Sequence, residues 1–244
     1  MTSKTLFGLE VEIRKSYRGV VIALAIFFGA IIMVGLGILA MAAHSAPYFD
    51  YDLTLTRNVQ SIDVRWFNGL MQFIGNPGYP PQVYVWIAFM VFVLYKSGLK
   101  WEAISGIFAA VGIGVVGLMI KILVNRSRPD PTLIDVANSS LDGGKYSFPA
   151  GHVQSYVAIL GFLLFLSITL AHRHSWTRWV EIIGFVIFIA LVGISRVYAG
   201  EHWPSDVFGA YLLGAIWLML TILFYAWGKP RFFANPQTRR KKAR

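Results

Sequence analysis

Six stretches of the chain are apolar over a length close to the thickness of a bilayer core, and this limits the possible folds more than any other feature. A helix of about 20 apolar residues crosses the hydrocarbon region of a membrane. The predicted spans cover approximately residues 19–43, 82–95, 101–124, 152–171, 179–198 and 206–227. Only 14% of the 244 residues are charged, whereas soluble domains carry about 25%. We therefore predict an all-α, polytopic membrane protein in which residues 1–244 form a single domain.

The distribution of basic residues predicts the orientation of these spans. If the N-terminus lies in the cytoplasm, 15 of the 22 Lys and Arg residues fall on the cytoplasmic side and seven on the outer side. The positive-inside rule then places both termini in the cytoplasm. The basic tail, residues 229–244, is expected to contact anionic lipids. The net charge of +10 does not indicate nucleic-acid binding, because the basic residues flank apolar stretches and no nucleic-acid motif accompanies them.

Two segments between the spans are not apolar enough to cross a membrane. Residues 125–151 are polar and rich in turn-forming residues. Residues 45–81 are mixed, and their apolar residues recur at steps of three to four. These apolar positions are Val59, Ile62, Trp66, Leu70 and Phe73. Such spacing predicts an amphipathic helix that lies on the outer surface of the membrane.

Three polar clusters fall on the outer side under this topology, and the first is "KILVNRSRPDP" at residues 121–131. Lys121 and Arg128 are seven residues apart, so they share a helix face if the third span continues to Pro129. Charges at membrane depth are costly and are usually retained for function. Taken alone, Lys121 is also consistent with an anchor that extends to the lipid headgroups, and Arg128 with a solvated loop residue.

The second cluster, "YSFPAGHVQSYV", leads into the fourth span. His152 lies at the predicted start of that helix, where free backbone N–H groups and the helix dipole favour anions. Gly151 lets the backbone approach a ligand closely. Taken alone, His152 is as well explained as a helix cap.

The third cluster, "SRVYAGEHWPSD", joins the last two spans. Arg196 ends the fifth span, and His202 lies in the short loop that follows. Asp206 is four residues after His202, close enough for its carboxylate to hold the imidazole ring. A structural pair, or part of a zinc site with His152 as a third ligand, would explain the same spacing.

Together the three clusters provide three cations, a helix start, two histidines and one carboxylate, but no cysteine. Cations and backbone amides suit a phosphate group that carries several charged oxygens. A histidine oriented by a carboxylate suits a nucleophile, and a second histidine suits a general acid for the leaving oxygen. Such a site can transfer phosphate through a phosphohistidine without metal, because the cations supply the charge stabilisation. Three cations around His152 argue against the zinc alternative.

The combined pattern resembles the three-part signature of the type-2 phosphatidic acid phosphatase superfamily, also called lipid phosphate phosphatases. It consists of Lys121-x6-Arg128-Pro129, Pro149-Ala150-Gly151-His152 and Ser195-Arg196-x5-His202-x3-Asp206. The second motif of the family usually reads Pro-Ser-Gly-His, so Ala150 replaces a serine. A lost charge-assisted hydrogen bond to phosphate would cost about 1–3 kcal/mol if nothing replaces it. The effect of Ala150 on the rate of the enzyme and on its range of substrates therefore stays an open question at the level of sequence.

The resemblance implies a role for each matching residue and a fold of membrane helices around the site. His202 would be the nucleophile, Asp206 its partner, and His152 the donor of a proton to the leaving group. Phosphate would be bound by Lys121, Arg128, Arg196 and the backbone amide of Gly151. No cofactor or metal is implied.

The resemblance is strongest to the bacterial membrane branch that acts on undecaprenyl pyrophosphate and phosphatidylglycerophosphate. The expected function is hydrolysis of a lipid phosphate or pyrophosphate at the outer face of the cell membrane, with phosphatidic acid as a further substrate. Two alternatives stay open, a lipid phosphotransferase with the same intermediate and a lipid transporter that needs no nucleophile. The sequence does not determine the oligomeric state.

Overall fold

The computed structural model describes residues 3–137, 145–170 and 176–232, and these residues form a bundle of α-helices without β-strands. Within these described ranges, eight α-helices follow one another. They are α1 (Ser3–Ser45), α2 (Asp50–Gln60), α3 (Arg65–Gly75), α4 (Gln82–Lys96), α5 (Lys100–Val124), α6 (Gly151–Leu170), α7 (Trp176–Tyr198) and α8 (Pro204–Phe232). The predicted all-α membrane fold is confirmed. Most of the predicted basic tail, residues 233–244, lies outside the described residues.

Five of these helices are long and apolar enough to cross a membrane. They are the Ile26–Ser45 part of α1 together with α5, α6, α7 and α8. Helix α4 has 15 residues, which corresponds to about 22 Å and is short for a bilayer core. It follows α3 at a bend of 65°, and the bent pair is the candidate for a sixth span.

The prediction of one amphipathic surface helix within residues 45–81 is wrong. The segment forms two helices, α2 and α3, separated by non-helical residues 61–64. Trp66 and Phe73, two of the five apolar positions, are exposed on α3, whereas Met71 and Ile74 are buried. The buried face of α2 is polar and consists of Asp52 and Thr56. The periodicity runs across a break in the helix, and its positions do not share one environment: Val59 and Leu70 pack partly buried against the core, whereas Ile62, Trp66 and Phe73 are exposed.

Helices α6 and α8 form the centre of the bundle, and small residues allow them to lie close together. A Cβ atom at Gly214 of α8 would lie 2.7 Å from Cβ of Val157, and one at Gly161 of α6 would lie 2.6 Å from Leu218. Close helix contacts of this kind are typical of membrane bundles. Because consecutive spans run in opposite directions, the ends of α5 and α7 and the beginnings of α6 and α8 meet at one end of the bundle. This end carries the three polar clusters.

Candidate functional site

The first polar cluster does not continue the helix of α5. The helix ends at Val124, and Asn125 adopts a left-handed conformation with φ 51°. Asparagine is among the few non-glycine residues that tolerate this region. The prediction that Lys121 and Arg128 share one helix face through Pro129 is therefore wrong. The turn instead directs the side chain of Arg126, between them, into the protein.

Arg126 is 2% exposed and lies between two buried carboxylates. Its Nη1 atom is 2.6 Å from Oδ1 of Asp206, and its Nη2 atom is 3.0 Å from Oδ2 of Asp52 on α2. The Asp52 carboxylate also accepts hydrogen bonds from the backbone N–H and the hydroxyl of Ser205. These contacts connect α2 and the end of α5 to the first turn of α8.

The Asp206 carboxylate occupies the start of α8 and orients the site histidine indirectly. Its Oδ2 atom accepts a hydrogen bond from the backbone N–H of Trp203, which caps the helix. The same oxygen lies 3.9 Å from Nδ1 of His202, which is too long for a hydrogen bond. The hydroxyl of Ser147 lies 2.5 Å from this oxygen and 3.3 Å from Nδ1. The expected contact between Asp206 and His202 therefore runs largely through Ser147.

This chain of contacts assigns the tautomer of the buried His202 ring. A carboxylate only accepts hydrogen bonds, so the single hydrogen of the Ser147 hydroxyl points to Asp206. The Ser147 oxygen then accepts a hydrogen bond from Nδ1–H of His202. The lone pair of the neutral ring is left on Nε2, which is the atom that can attack an electrophile.

The surroundings of His202 keep its ring neutral. Burial lowers the pKa of His202 to about 4, and the positive charges of Lys121 and Arg128 act in the same direction. The neighbouring Asp206 carboxylate opposes this shift but does not cancel it. Lys121 and Arg128 are thus near the ring although they are not on one helix, and Lys121 also donates a hydrogen bond to the Tyr146 carbonyl.

We expect the His202 ring to remain neutral in the folded protein down to about pH 5. The unfolded ring titrates near pH 6.5, so at lower pH the unfolded chain binds a proton that the folded protein does not. The contribution of His202 to the free energy of unfolding is therefore fully present above pH 6.5 and is lost as the pH falls toward 4. NMR titration of protein labelled at histidine ¹³Cε1, assigned with His202→Gln, measures this pKa. A ring that titrates near pH 6.5 would contradict the prediction.

The second polar cluster places a helix start beside a buried histidine. Helix α6 begins at Gly151, and His152 in its first turn is 5% exposed. A Cβ atom added to Gly151 would meet no atom within 4 Å, so space remains open at this helix start. Ala150 is fully buried, and its backbone N–H donates to the carbonyl of Asp206. This bond joins the second cluster to the third.

The third cluster contains an arginine held by neighbouring side chains. The Nη1 atom of Arg196 is 3.0 Å from Oε2 of Glu201 and 2.6 Å from the hydroxyl of Tyr79. The Tyr79 hydroxyl in turn donates a hydrogen bond to Glu201. Nη2 of Arg196 donates to the hydroxyl of Ser195.

The same tyrosine also contacts the histidine of α6. The ring centroids of Tyr79 and His152 are 4.6 Å apart in an edge-to-face arrangement. The guanidinium of Arg196 lies 4.9 Å from the centroid of the Tyr79 ring. Tyr79 therefore touches both a predicted phosphate ligand and the predicted leaving-group acid.

The structure thus brings the predicted site residues to one end of the bundle and adds several that the sequence did not single out for a role. Contacts link all three clusters. Arg126 of the first cluster and Ala150 of the second both contact Asp206 of the third, and Tyr79 contacts both His152 and Arg196. The additional residues are Asp52, Tyr79, Arg126, Ser147 and Ser205. Within the described ranges, no three His, Asp or Glu side chains are arranged to hold a metal ion.

Comparison with known proteins finds a matching family model, related sequences and a related structure. A family model described as the PAP2 superfamily matches residues 100–230. The chain is 28% identical over 169 residues to the undecaprenyl-diphosphatase of Sulfolobus acidocaldarius, covering 68% of this chain and 74% of that protein. It is 29% identical over 189 residues to phosphatidylglycerophosphatase B of Bacillus subtilis, covering 75% of this chain and 87% of that protein.

A solved structure shares the fold. The crystal structure of a transmembrane PAP2-type phosphatidylglycerolphosphate phosphatase from Bacillus subtilis matches with a TM-score of 0.69. The match covers 84% of this chain and 98% of that one, at 23% sequence identity. Residues 100–230 of the family match contain all seven residues that the sequence motifs predict for the site.

Proposed function

The chain belongs to the PAP2 superfamily and is a membrane lipid phosphatase, and from this premise we propose that it transfers the phosphate through a phosphohistidine on His202. The observation that carries this proposal is the assigned tautomer. Ser147 and Asp206 hold Nδ1–H of His202, so that Nε2 presents a lone pair on a ring that is neutral at pH 7. A neutral imidazole is nucleophilic, whereas an imidazolium is not.

The proposed reaction has two steps, and His152 acts in both. Nε2 of His202 attacks phosphorus while His152 gives a proton to the leaving oxygen, so a P–N bond forms as the P–O bond breaks. His152 then takes a proton from water, whose oxygen attacks phosphorus and breaks the P–N bond. The products are inorganic phosphate and the dephosphorylated lipid, and both histidines return to their initial states.

Charge stabilisation in the proposed mechanism comes from fixed cations and from the helix start. Lys121 and Arg128 lower the pKa of His202, which supports their placement beside the reacting atoms. Arg196 and the backbone amide of Gly151 would complete the set of phosphate donors. Donors in fixed positions stabilise the charge on the transferring phosphoryl group in place of a metal ion.

We propose undecaprenyl pyrophosphate as the first substrate, with phosphatidylglycerophosphate and phosphatidic acid as further ones. The first two correspond to the names of the two relatives above. The site lies where α5 and α7 end and α6 and α8 begin. The ends of spanning helices lie at the level of the lipid headgroups, so we propose that a headgroup enters the site sideways from the membrane. The charge distribution supports cytoplasmic termini, a basic tail on anionic lipid and a site on the outer face. We also propose that residues 1–244 form one domain.

The experiment that tests this function is phosphate release by the purified full chain in detergent with EDTA present. We expect release from undecaprenyl pyrophosphate, from phosphatidylglycerophosphate, or from both. Incubation with ³²P-labelled substrate and rapid quenching should give protein-bound label that is stable to base and labile to acid. Label that leaves only when a lipid alcohol acceptor is added would favour a phosphotransferase. Absence of release from all three lipids by folded protein would contradict the proposal.

Gly151→Ala should weaken catalysis without weakening the fold. The added methyl meets no atom within 4 Å, so no neighbouring atom has to move. The methyl would, however, occupy the space where the phosphate approaches the helix start. Loss of a hydrogen bond to a charged group costs about 1.5–3 kcal/mol, so we expect KM to rise about tenfold or more.

The matched control for this variant is Gly114→Ala, which lies on an exposed face of α5 and also meets no atom within 4 Å. It should gain helix stability and retain the wild-type KM. Thermal unfolding and steady-state kinetics of the two variants make the comparison. Equal KM values in Gly151→Ala and the wild type would show that the phosphate does not approach this helix start.

A further inference from the structure

We propose that Tyr79 is a positioning residue that joins the phosphate-binding Arg196 to the leaving-group acid His152, with its hydroxyl serving the first and its ring the second. This inference rests on the proposed function and adds a residue outside the segment that the family model matches, which begins at residue 100. Tyr79 lies at the bend between α3 and α4, and it is 7% exposed.

The hydroxyl of Tyr79 determines how Arg196 is presented. Nη1 of Arg196 donates to this hydroxyl at 2.6 Å and to Glu201 at 3.0 Å, while the hydroxyl donates to Glu201. The three groups form a closed set of hydrogen bonds, and the charge of Arg196 also faces the Tyr79 ring. Nε of Arg196 is buried and makes no hydrogen bond among the described residues. One edge of the guanidinium is thus held in place, and its Nε–H is used by none of the described residues.

The ring of Tyr79 determines where the imidazole of His152 lies. The two rings pack edge to face with centroids 4.6 Å apart. A Cβ atom added to the neighbouring Gly78 would lie 2.0 Å from Cδ2 of His152. The Gly78 backbone and the Tyr79 ring therefore both pack against the imidazole. A general acid acts only when it is within hydrogen-bond reach of the leaving oxygen. A displacement of about 1 Å can reduce a rate about 100-fold.

The segment that carries Tyr79 is itself anchored to the two helices that carry His152 and Arg196. The hydroxyl of Ser195 on α7 donates to the carbonyl of Met71, and that of Tyr156 on α6 donates to the carbonyl of Ile74. A Cβ atom on Gly75 would lie 1.6 Å from Nη2 of Arg196. The end of α3 therefore packs directly against the site, and the position of Tyr79 is fixed relative to both partners.

The test separates the two halves of Tyr79 by substitution and by substrate. Tyr79→Phe removes the hydroxyl but keeps the ring, whereas Tyr79→Leu removes both. Each variant is assayed with a short-chain phosphatidylglycerophosphate. Its leaving group is an alkoxide, which needs a proton from a general acid. Each variant is also assayed with p-nitrophenyl phosphate, whose leaving group is stable as an anion and needs none. His152→Ala shows the pattern expected when the acid is absent, and the exposed Tyr84→Leu is the matched control for loss of a tyrosine.

We expect Tyr79→Phe to raise KM several-fold for both substrates and to leave kcat for the alkyl ester within about threefold. Tyr79→Leu should lower kcat for the alkyl ester about tenfold or more, because general acids contribute about 10²–10⁴-fold, while kcat for the aryl ester changes less than threefold. Equal losses of kcat on both esters, or no loss on either, would overturn the proposal. Failure of the proposed function is distinguishable, because the wild-type protein would then release no phosphate from the lipid or would release it equally with His202→Ala.

Discussion

Replacement of His202 by alanine should lower phosphate release from lipid substrates by a factor of about 10³ or more, whether or not EDTA is present. The substitution removes the atom that forms the covalent intermediate, and no other side chain is placed to substitute for it in the proposed mechanism. Lys121, Arg128 and Arg196 remain, so substrate should still bind with a KM near that of the wild type. Phosphate release and protein-bound ³²P label, measured side by side, should disappear together.

The matched control is His44→Gln. His44 lies at the end of α1, where Nδ1 is 2.9 Å from the carbonyl of Val124, and glutamine can also donate to this carbonyl. This variant should retain most of the activity and all of the label. His202→Ala protein that keeps more than a tenth of the wild-type rate, with an unchanged unfolding temperature, would contradict the phosphohistidine mechanism.

Hydropathy is sufficient to predict five of the six spans, because each must cross the same thickness of hydrocarbon, whereas the predicted 82–95 corresponds to the short helix α4. The predicted 101–124 and 179–198 end where α5 and α7 end. The fourth span begins one residue later in the prediction than in α6. The first polar cluster was harder to predict, because a left-handed Asn125 ends α5 before Pro129. In the sequence, Pro129 is the evident helix terminator, whereas in the structure Asn125 ends the helix about one turn earlier.

The motif spacing indicates which site residues lie together, but it does not reveal the buried ion pairs and hydrogen bonds that keep them in position. Asp52 and Arg126 are 74 residues apart, and Arg126 and Asp206 are 80 apart. No local pattern distinguishes the buried Asp52 from its exposed neighbour Asp50. The motif spacing gives Ser147 no role in orienting His202, yet its hydroxyl lies between Asp206 and His202 in the structure.

The arrangement around Arg126 explains why a cation is needed there. Two carboxylates, Asp52 and Asp206, are each 0% exposed, and both contact this one guanidinium. An unpaired carboxylate in a medium of low dielectric constant is strongly unfavourable, and breaking a buried ion pair by removing one partner costs about 3–5 kcal/mol. Arg126 also donates through Nε to the carbonyls of Ala46 and Pro47, which join α1 to α2. Its removal therefore affects both the fold and the orientation of Asp206.

We expect Arg126→Met to lower the free energy of unfolding by about 3–5 kcal/mol and to lower kcat through the displaced Asp206. In the Asp52→Asn background the same substitution should lower the free energy of unfolding by less, because only the Asp206 carboxylate is then left buried without its cation. Unfolding in mixed detergent and SDS measures all four proteins of this double-mutant cycle. The control is Arg57→Met. Arg57 is exposed on α2, and among the described residues its side chain donates hydrogen bonds to the Leu133 carbonyl, so this substitution should lower the free energy of unfolding by about 1 kcal/mol or less. An Arg126→Met protein within 1 kcal/mol of the wild type would show that water or a rearranged side chain compensates both carboxylates, and that Arg126 does not hold Asp206 in place.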